Sequence, residues 1–119
     1  GQLLLDGGAH GGRQLIPRPW VERLTEPCPV APFYGRLVWL NRDGKTFPGA
    51  SERSFFMLGA GGHYVWVEPA CDAVIVLRWL DGAAAPEVMR CIRQALTAGA
   101  AATAVDSRHR DRSSWPDER

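Results

Sequence analysis

Lysine is almost missing from this chain: Lys45 is the only one in 119 residues. The residue three before it is Arg42, so no Ser-x-x-Lys exists here and that pairing of nucleophile and base is excluded within these residues. Neither tyrosine starts a Tyr-x-Asn, since Tyr34 leads into Gly35-Arg36 and Tyr64 into Val65-Trp66. No Gly-x-Ser-x-Gly elbow surrounds Ser51, Ser54, Ser107, Ser113 or Ser114, which argues against a self-contained serine hydrolase. Cysteine is scarce and odd in number: Cys28, Cys71 and Cys91 lack C-x-x-C spacing and are expected as buried or partly buried free thiols. The histidines, His10, His63 and His109, are dispersed and have no metal-ligand spacing, so the sequence calls for no metal and no cofactor. His63 and Cys71 fall at opposite ends of one expected strand, too far apart at about 3.3 Å of rise per residue for a nucleophile and base pair.

Excess charge is missing too. The net charge is +1 with both signs scattered, which singles out neither nucleic acid nor an anionic membrane as a partner. No apolar run approaches the roughly 18 to 20 residues that span a bilayer. The chain opens at Gly1, without an initiator methionine and a basic, then apolar, leader. Cytoplasmic and periplasmic or secreted locations both fit this composition.

What is present suits a globular chain, 45% hydrophobic. Leu3 to Leu5 predict a short helix stopped by Gly7 and Gly8, and Trp20, Val21 and Leu24 predict a second helix starting near Pro17 to Pro19. Pro27, Pro29 and Pro32 predict an extended connector, and "FYGRLVWLN" a strand. After a polar turn, Phe55 to Leu58 predict another strand, followed by Gly59 to Gly62 and by "HYVWVEP". There, Tyr64, Trp66 and Glu68 share one strand face, while Val65 and Val67 share the other. Trp66 is expected as a packing residue. "AVIVLRW" is apolar on both faces and predicts a central strand covered on both sides. Pro86 opens a predicted helix with a stripe of Val88, Met89, Ile92, Ala95 and Leu96, which should pack back on the sheet. Beyond Ala104 the chain is charged and aperiodic and is expected to be disordered. The fold class is therefore α+β, an antiparallel sheet flanked by helices, with a structured part over 1–104 and a tail over 105–119.

The small residues in "SFFMLGAGGHYVWVEP" admit two readings, a plain turn between strands or a backbone that something approaches closely. In the second reading, the N–H groups at that edge are placed to meet a developing negative charge.

Three stretches, "GQLLLDGG…GGRQLIPRPWVERL", "PFYGRLVWLN" and "FPGASERSFFMLGAGGHYVWVEPACDAVIVLRWL", resemble in order and spacing the C-terminal part of the serine β-lactamase-related family. That family includes class C β-lactamases, D-alanyl-D-alanine peptidases and related esterases, and the likeness covers about residues 1–98. The resemblance implies a partial β-lactamase-like, or penicillin-binding-protein-like, fold. It places Met57-Leu58-Gly59 where the family has Lys-Thr-Gly or His-x-Gly, so that only the glycine survives and Met57 stands in place of a cation or imidazole. It places Ala60, flanked by Gly59 and Gly61, at the position whose backbone N–H serves the oxyanion hole. It implies an upstream N-terminal part of the same domain carrying Ser-x-x-Lys and Tyr-x-Asn, and a small ester, amide or lactam substrate for the full-length protein. The isolated chain is expected to be inactive. A non-catalytic structural or binding module derived from that fold is the alternative, as is a split protein whose other half docks on Leu3 to Leu5.

Overall fold

The computed structural model describes residues 1–107, with side chains to residue 99. It is a small α+β domain. Helix α1 (Gln2–Leu5) is followed by a minimal hairpin, β1 (Ala9–His10) with β2 (Arg13–Gln14), and by α2 (Arg18–Leu24). Then come β3 (Trp39–Leu40), β4 (Phe55–Gly59), β5 (His63–Glu68), β6 (Ala73–Leu77) and α3 (Ala85–Ser107). Strands β3 to β6 form one antiparallel sheet in chain order. None of the described helices is long and apolar enough to cross a membrane.

Register converts the alternation of the sequence into two cores. Leu40, Phe55, Val67 and Val74 are successive cross-strand partners, and the next row is Trp39, Phe56, Trp66 and Ile75. Because neighbouring residues on a strand point to opposite faces, the two rows line opposite sides of the sheet. The aromatic row packs with Ala50, Ala85 and Met89, so α3 covers that face as its apolar stripe predicts. The aliphatic row packs with Val38 and with Leu4 and Leu5 of α1. Phe56 and Trp66 are completely buried, which confirms Trp66 as a packing residue.

Several expectations need correction. The apolar run 73–77 is an edge strand, not a central one: among the described residues β6 pairs only with β5, and Val76 is 60% exposed. Apolar content on both faces measured burial by short contacts, which an edge strand also obtains from one neighbour and one covering helix. The stretch "FYGRLVWLN" is not one strand but a tight reversal. The Leu40 and Gly35 N–H groups donate to Phe33 and Val38 carbonyls, and Leu37 takes φ 63° at the bend. The proline segment is not extended either. It forms successive turns, with the Ala31 N–H on the Cys28 carbonyl and the Tyr34 N–H on that of Ala31. Trp20 in α2 is half exposed while Val21 is buried, and Ala95 in α3 faces solvent. Cys91 is exposed, whereas Cys28 and Cys71 are half-buried; all three are free thiols. Helix α3 continues through Ser107, past the boundary expected at Ala104, and the rest of the expected tail, 108–119, lies outside the described residues.

The long connection between β3 and β4 is organised by Asn41, which is fully buried. Its Nδ2 donates to the carbonyls of Phe47 (3.1 Å), Ala50 (3.3 Å) and Ser51 (3.1 Å), and its Oδ1 accepts from the Phe47 N–H at 2.8 Å. Alanine at this position would strand these buried backbone groups together. Asn41→Ala is expected to cost about 2 to 3 kcal/mol in a urea titration.

Candidate functional site

The glycine stretch forms the tip of the β4–β5 hairpin. The ladder ends at the pair Gly59 and His63, and the loop Ala60-Gly61-Gly62 closes it with φ 85° at Gly61 and 75° at Gly62, conformations that favour glycine. The first reading, a turn between strands, is what the structure shows. The turn is also a site of close approach, but the approaching group is the chain itself. A Cβ on Gly62 would lie 2.0 Å from the Leu80 carbonyl oxygen, and the Leu80 N–H donates to the Gly62 carbonyl at 3.0 Å. A Cβ on Gly61 would lie 3.2 Å from the Trp79 ring. Residues 78 to 80 thus lie as a strap along the hairpin tip, with Trp79 at φ 59° and 75% exposed.

The strap is tied to His63. Arg78 donates from Nε to His63 Nδ1 at 3.2 Å, and the Trp79 N–H reaches the same nitrogen at 3.4 Å. Both donors address Nδ1, so that atom carries the lone pair and the ring proton sits on Nε2. The Trp79 ring meets the imidazole edge-on, with centroids 4.4 Å apart.

Beside this cluster lies an open hollow of about 380 Å³. Met57, Leu58 and Gly59 line it from β4, His63, Tyr64 and Val65 from β5, and Val76 and Arg78 from β6 and the residue after it. Its floor follows the cross-strand row Met57, Val65, Val76, on the face that α1 covers farther along. The three residues at the expected third-motif position, Met57-Leu58-Gly59, therefore stand together on the wall of one hollow. Ala60 is exposed and lies beyond the last ladder pair, so its N–H is not used by strand pairing, and Gly61 is exposed beside it. His63 and Arg78 were not singled out by sequence reasoning as partners. The signal was present: with a glycine turn on one side of β5 and "PACD" on the other, antiparallel register pairs Tyr64 with Leu77 and puts His63 next to Arg78.

The second polar constellation is sealed. Glu68 is fully buried, and its carboxylate accepts from the Ser51 N–H (3.0 Å), the Ser51 hydroxyl, the Ser54 hydroxyl (2.8 Å) and the Ala70 N–H (3.2 Å). Trp66 Nε1 donates to Ser54 Oγ at 3.0 Å. Burial, the largest influence, pushes the Glu68 carboxyl upward, but the hydrogen bonds from Ser51, Ser54 and Ala70 together hold it below its ordinary 4.5. Ser51 is 8% and Ser54 2% exposed, and both hydroxyls are committed to Glu68, so this serine–carboxylate group is a structural clasp and not a nucleophile. Among the described residues, no three His, Cys, Asp or Glu side chains cluster as metal ligands.

Compared with known proteins, the chain matches no family model, and none of the curated proteins is significantly similar to it.

Proposed function

We propose that this chain is the C-terminal segment of a β-lactamase-like serine hydrolase, partial in its β-lactamase-like fold. Its full-length form acylates a serine with an ester, amide or lactam and then hydrolyses the acyl-enzyme. In this reading the segment supplies sheet scaffold and one oxyanion donor, the Ala60 N–H between Gly59 and Gly61. The serine and its base come from an N-terminal part of the same domain. The observation that carries the reading is the placement of Ala60: just past the ladder, exposed, and next to a hollow walled by Met57-Leu58-Gly59. An N–H free of strand pairing at a strand end is what stabilisation of a tetrahedral oxyanion requires. A donor lowers a barrier only for a nucleophile that is present, so the chain alone has no hydrolase activity.

Two features favour the alternative, a non-catalytic module that keeps the sheet. Met57 brings a thioether where a proton-relay or carboxylate-binding group is expected, and the close approach to the glycines is already occupied by Trp79 and Leu80. The two readings separate with an active-site probe. A fluorophosphonate or penicillin-type reagent is expected to label a form extended upstream of Gly1 and to leave this chain unlabelled. Failure to label any extended form leaves the module as the function, and labelling of this chain itself refutes the claim that it lacks a nucleophile.

A further inference from the structure

We propose that the hollow at the β4–β5–β6 end binds a small organic carboxylate with an apolar tail, the tail lying along Met57, Val65 and Val76 and the carboxylate meeting the Arg78 guanidinium. This goes beyond the hydrolase reading and stands apart from it, because binding here needs no nucleophile.

Charge is the first argument. Arg78 carries five N–H donors, and among the described residues only the one on Nε has an acceptor, His63 Nδ1. The described ion pairs are Arg36–Glu26 and Arg90–Glu87, and Arg78 belongs to neither. Its Nη edge is thus open to an anion, and the bond through Nε holds the planar fork in one orientation, which favours a two-point contact with a carboxylate. The neighbouring imidazole directs its Nδ1 lone pair at Arg78 and so fixes the guanidinium at the edge of the hollow. Arg78 supplies the only full positive charge on the lining, which suits a monoanion better than a dianionic phosphate.

Shape and polarity are the second argument. The row Met57, Val65, Val76 is a continuous apolar strip, and Val76 is 60% exposed although its cross-strand neighbours toward β4 are half-buried. Such a strip in a hollow of about 380 Å³ falls at the small end of ligand sites, which run from about 300 to 1,000 Å³. By contrast, the hollow between Arg42 and Arg53 carries Glu52 on its own wall, and Arg42 is spent on the Thr25 carbonyl at 2.8 Å. The cation of the β-sheet hollow, by comparison, has no counter-charge among the described residues and lies beside an apolar surface.

The test titrates hexanoate, hexanol, acetate and inorganic phosphate into the isotope-labelled 119-residue chain, followed by NMR. Saturable shifts at Gly59, His63, Val65 and Val76 are expected with hexanoate. Hexanol, acetate and phosphate are each expected to bind at least tenfold more weakly, and Arg78→Gln is expected to weaken hexanoate by tenfold or more. Val76→Gln, at an exposed position that should not disturb folding, is expected to bring hexanoate down to the level of acetate. Equal binding of hexanol and hexanoate, equal binding of acetate or phosphate and hexanoate, or unchanged hexanoate binding by Arg78→Gln overturns the proposal.

Discussion

Glu68→Ala is expected to lower the unfolding free energy by about 3 to 5 kcal/mol, the sum of several buried donors left without an acceptor and a large part of the 5 to 15 kcal/mol typical of a domain. The carboxylate is fully buried and accepts four hydrogen bonds, from Ser51 twice, Ser54 and Ala70. Removing it leaves the Ser51 N–H and two hydroxyls without this acceptor in a buried place, and the part-buried Ala70 N–H loses it as well. Each such group carries a desolvation penalty, which is why the loss exceeds the modest net value of a single hydrogen bond. The damage should spread along the chain, since Ser51 and Ser54 close the β3–β4 connection and Ser54 also receives the Trp66 indole N–H. Glu68→Gln keeps the volume but turns an amide donor toward other donors, and a smaller loss of about 1 to 3 kcal/mol is expected. Urea denaturation of the three proteins gives the ranking directly.

The same clasp sets a pH dependence. The folded carboxyl is held below its ordinary 4.5, so in the interval beneath that value the unfolded chain binds more protons than the folded one. Stability from Glu68 is therefore fully present above about 4.5 and is lost as pH falls through the folded value. Thermal scans of the native chain should show a falling midpoint in that acid range, and Glu68→Gln should lose that component of the slope. A slope identical in the two proteins would mean that the fold does not hold the Glu68 carboxyl below its ordinary value.

Gly62→Ala carries the second largest expected effect, a loss of about 2 to 4 kcal/mol. Two causes add. At φ 75° a side chain is strained by about 1 to 2 kcal/mol, and the new Cβ would stand 2.0 Å from the Leu80 carbonyl oxygen. The obstacle is backbone, so the hairpin tip and the 78–80 strap have to part, and with them the Leu80 N–H bond to Gly62 and the packing of Leu80 on the aromatic core. Gly11→Ala separates the causes: it has φ 55° but nothing within 4 Å, and it should lose only about 1 kcal/mol. Equal losses at the two positions would show that the approach of Leu80 contributes nothing.

Much of the fold was legible in the residues because it rests on short-range rules. The alternation Tyr64, Val65, Trp66, Val67 announced a strand with two different faces, and the structure puts Trp66 and Val67 in separate cores. The spacing of Met89 and Ile92 announced the face on which α3 packs. Positive φ at Gly7 and Gly8 after a short leucine helix follows from glycine's lack of a Cβ. Harder to read were features that depend on which neighbour a segment finds. Ala73 to Leu77 looked central by composition, yet strand order is a property of the whole sheet and left it at an edge. "FYGRLVWLN" had strand composition throughout, and its reversal at Leu37 depends on the Gly35 and Arg36 contacts with the Leu24 carbonyl.

The candidate site divides the same way. That no Ser-x-x-Lys or Tyr-x-Asn exists here, and that a run of small residues interrupts two apolar strands, is determined by the order of residues alone. That Leu80 rests on Gly62, that Arg78 is tied to His63 beside an open apolar strip, and that Ser51 and Ser54 converge on Glu68 was decided only by tertiary structure. The reason is physical. Face alternation and turn conformation are fixed within a few residues by sterics, whereas contacts between groups 14 to 18 positions apart exist only once register and loop path have been chosen together.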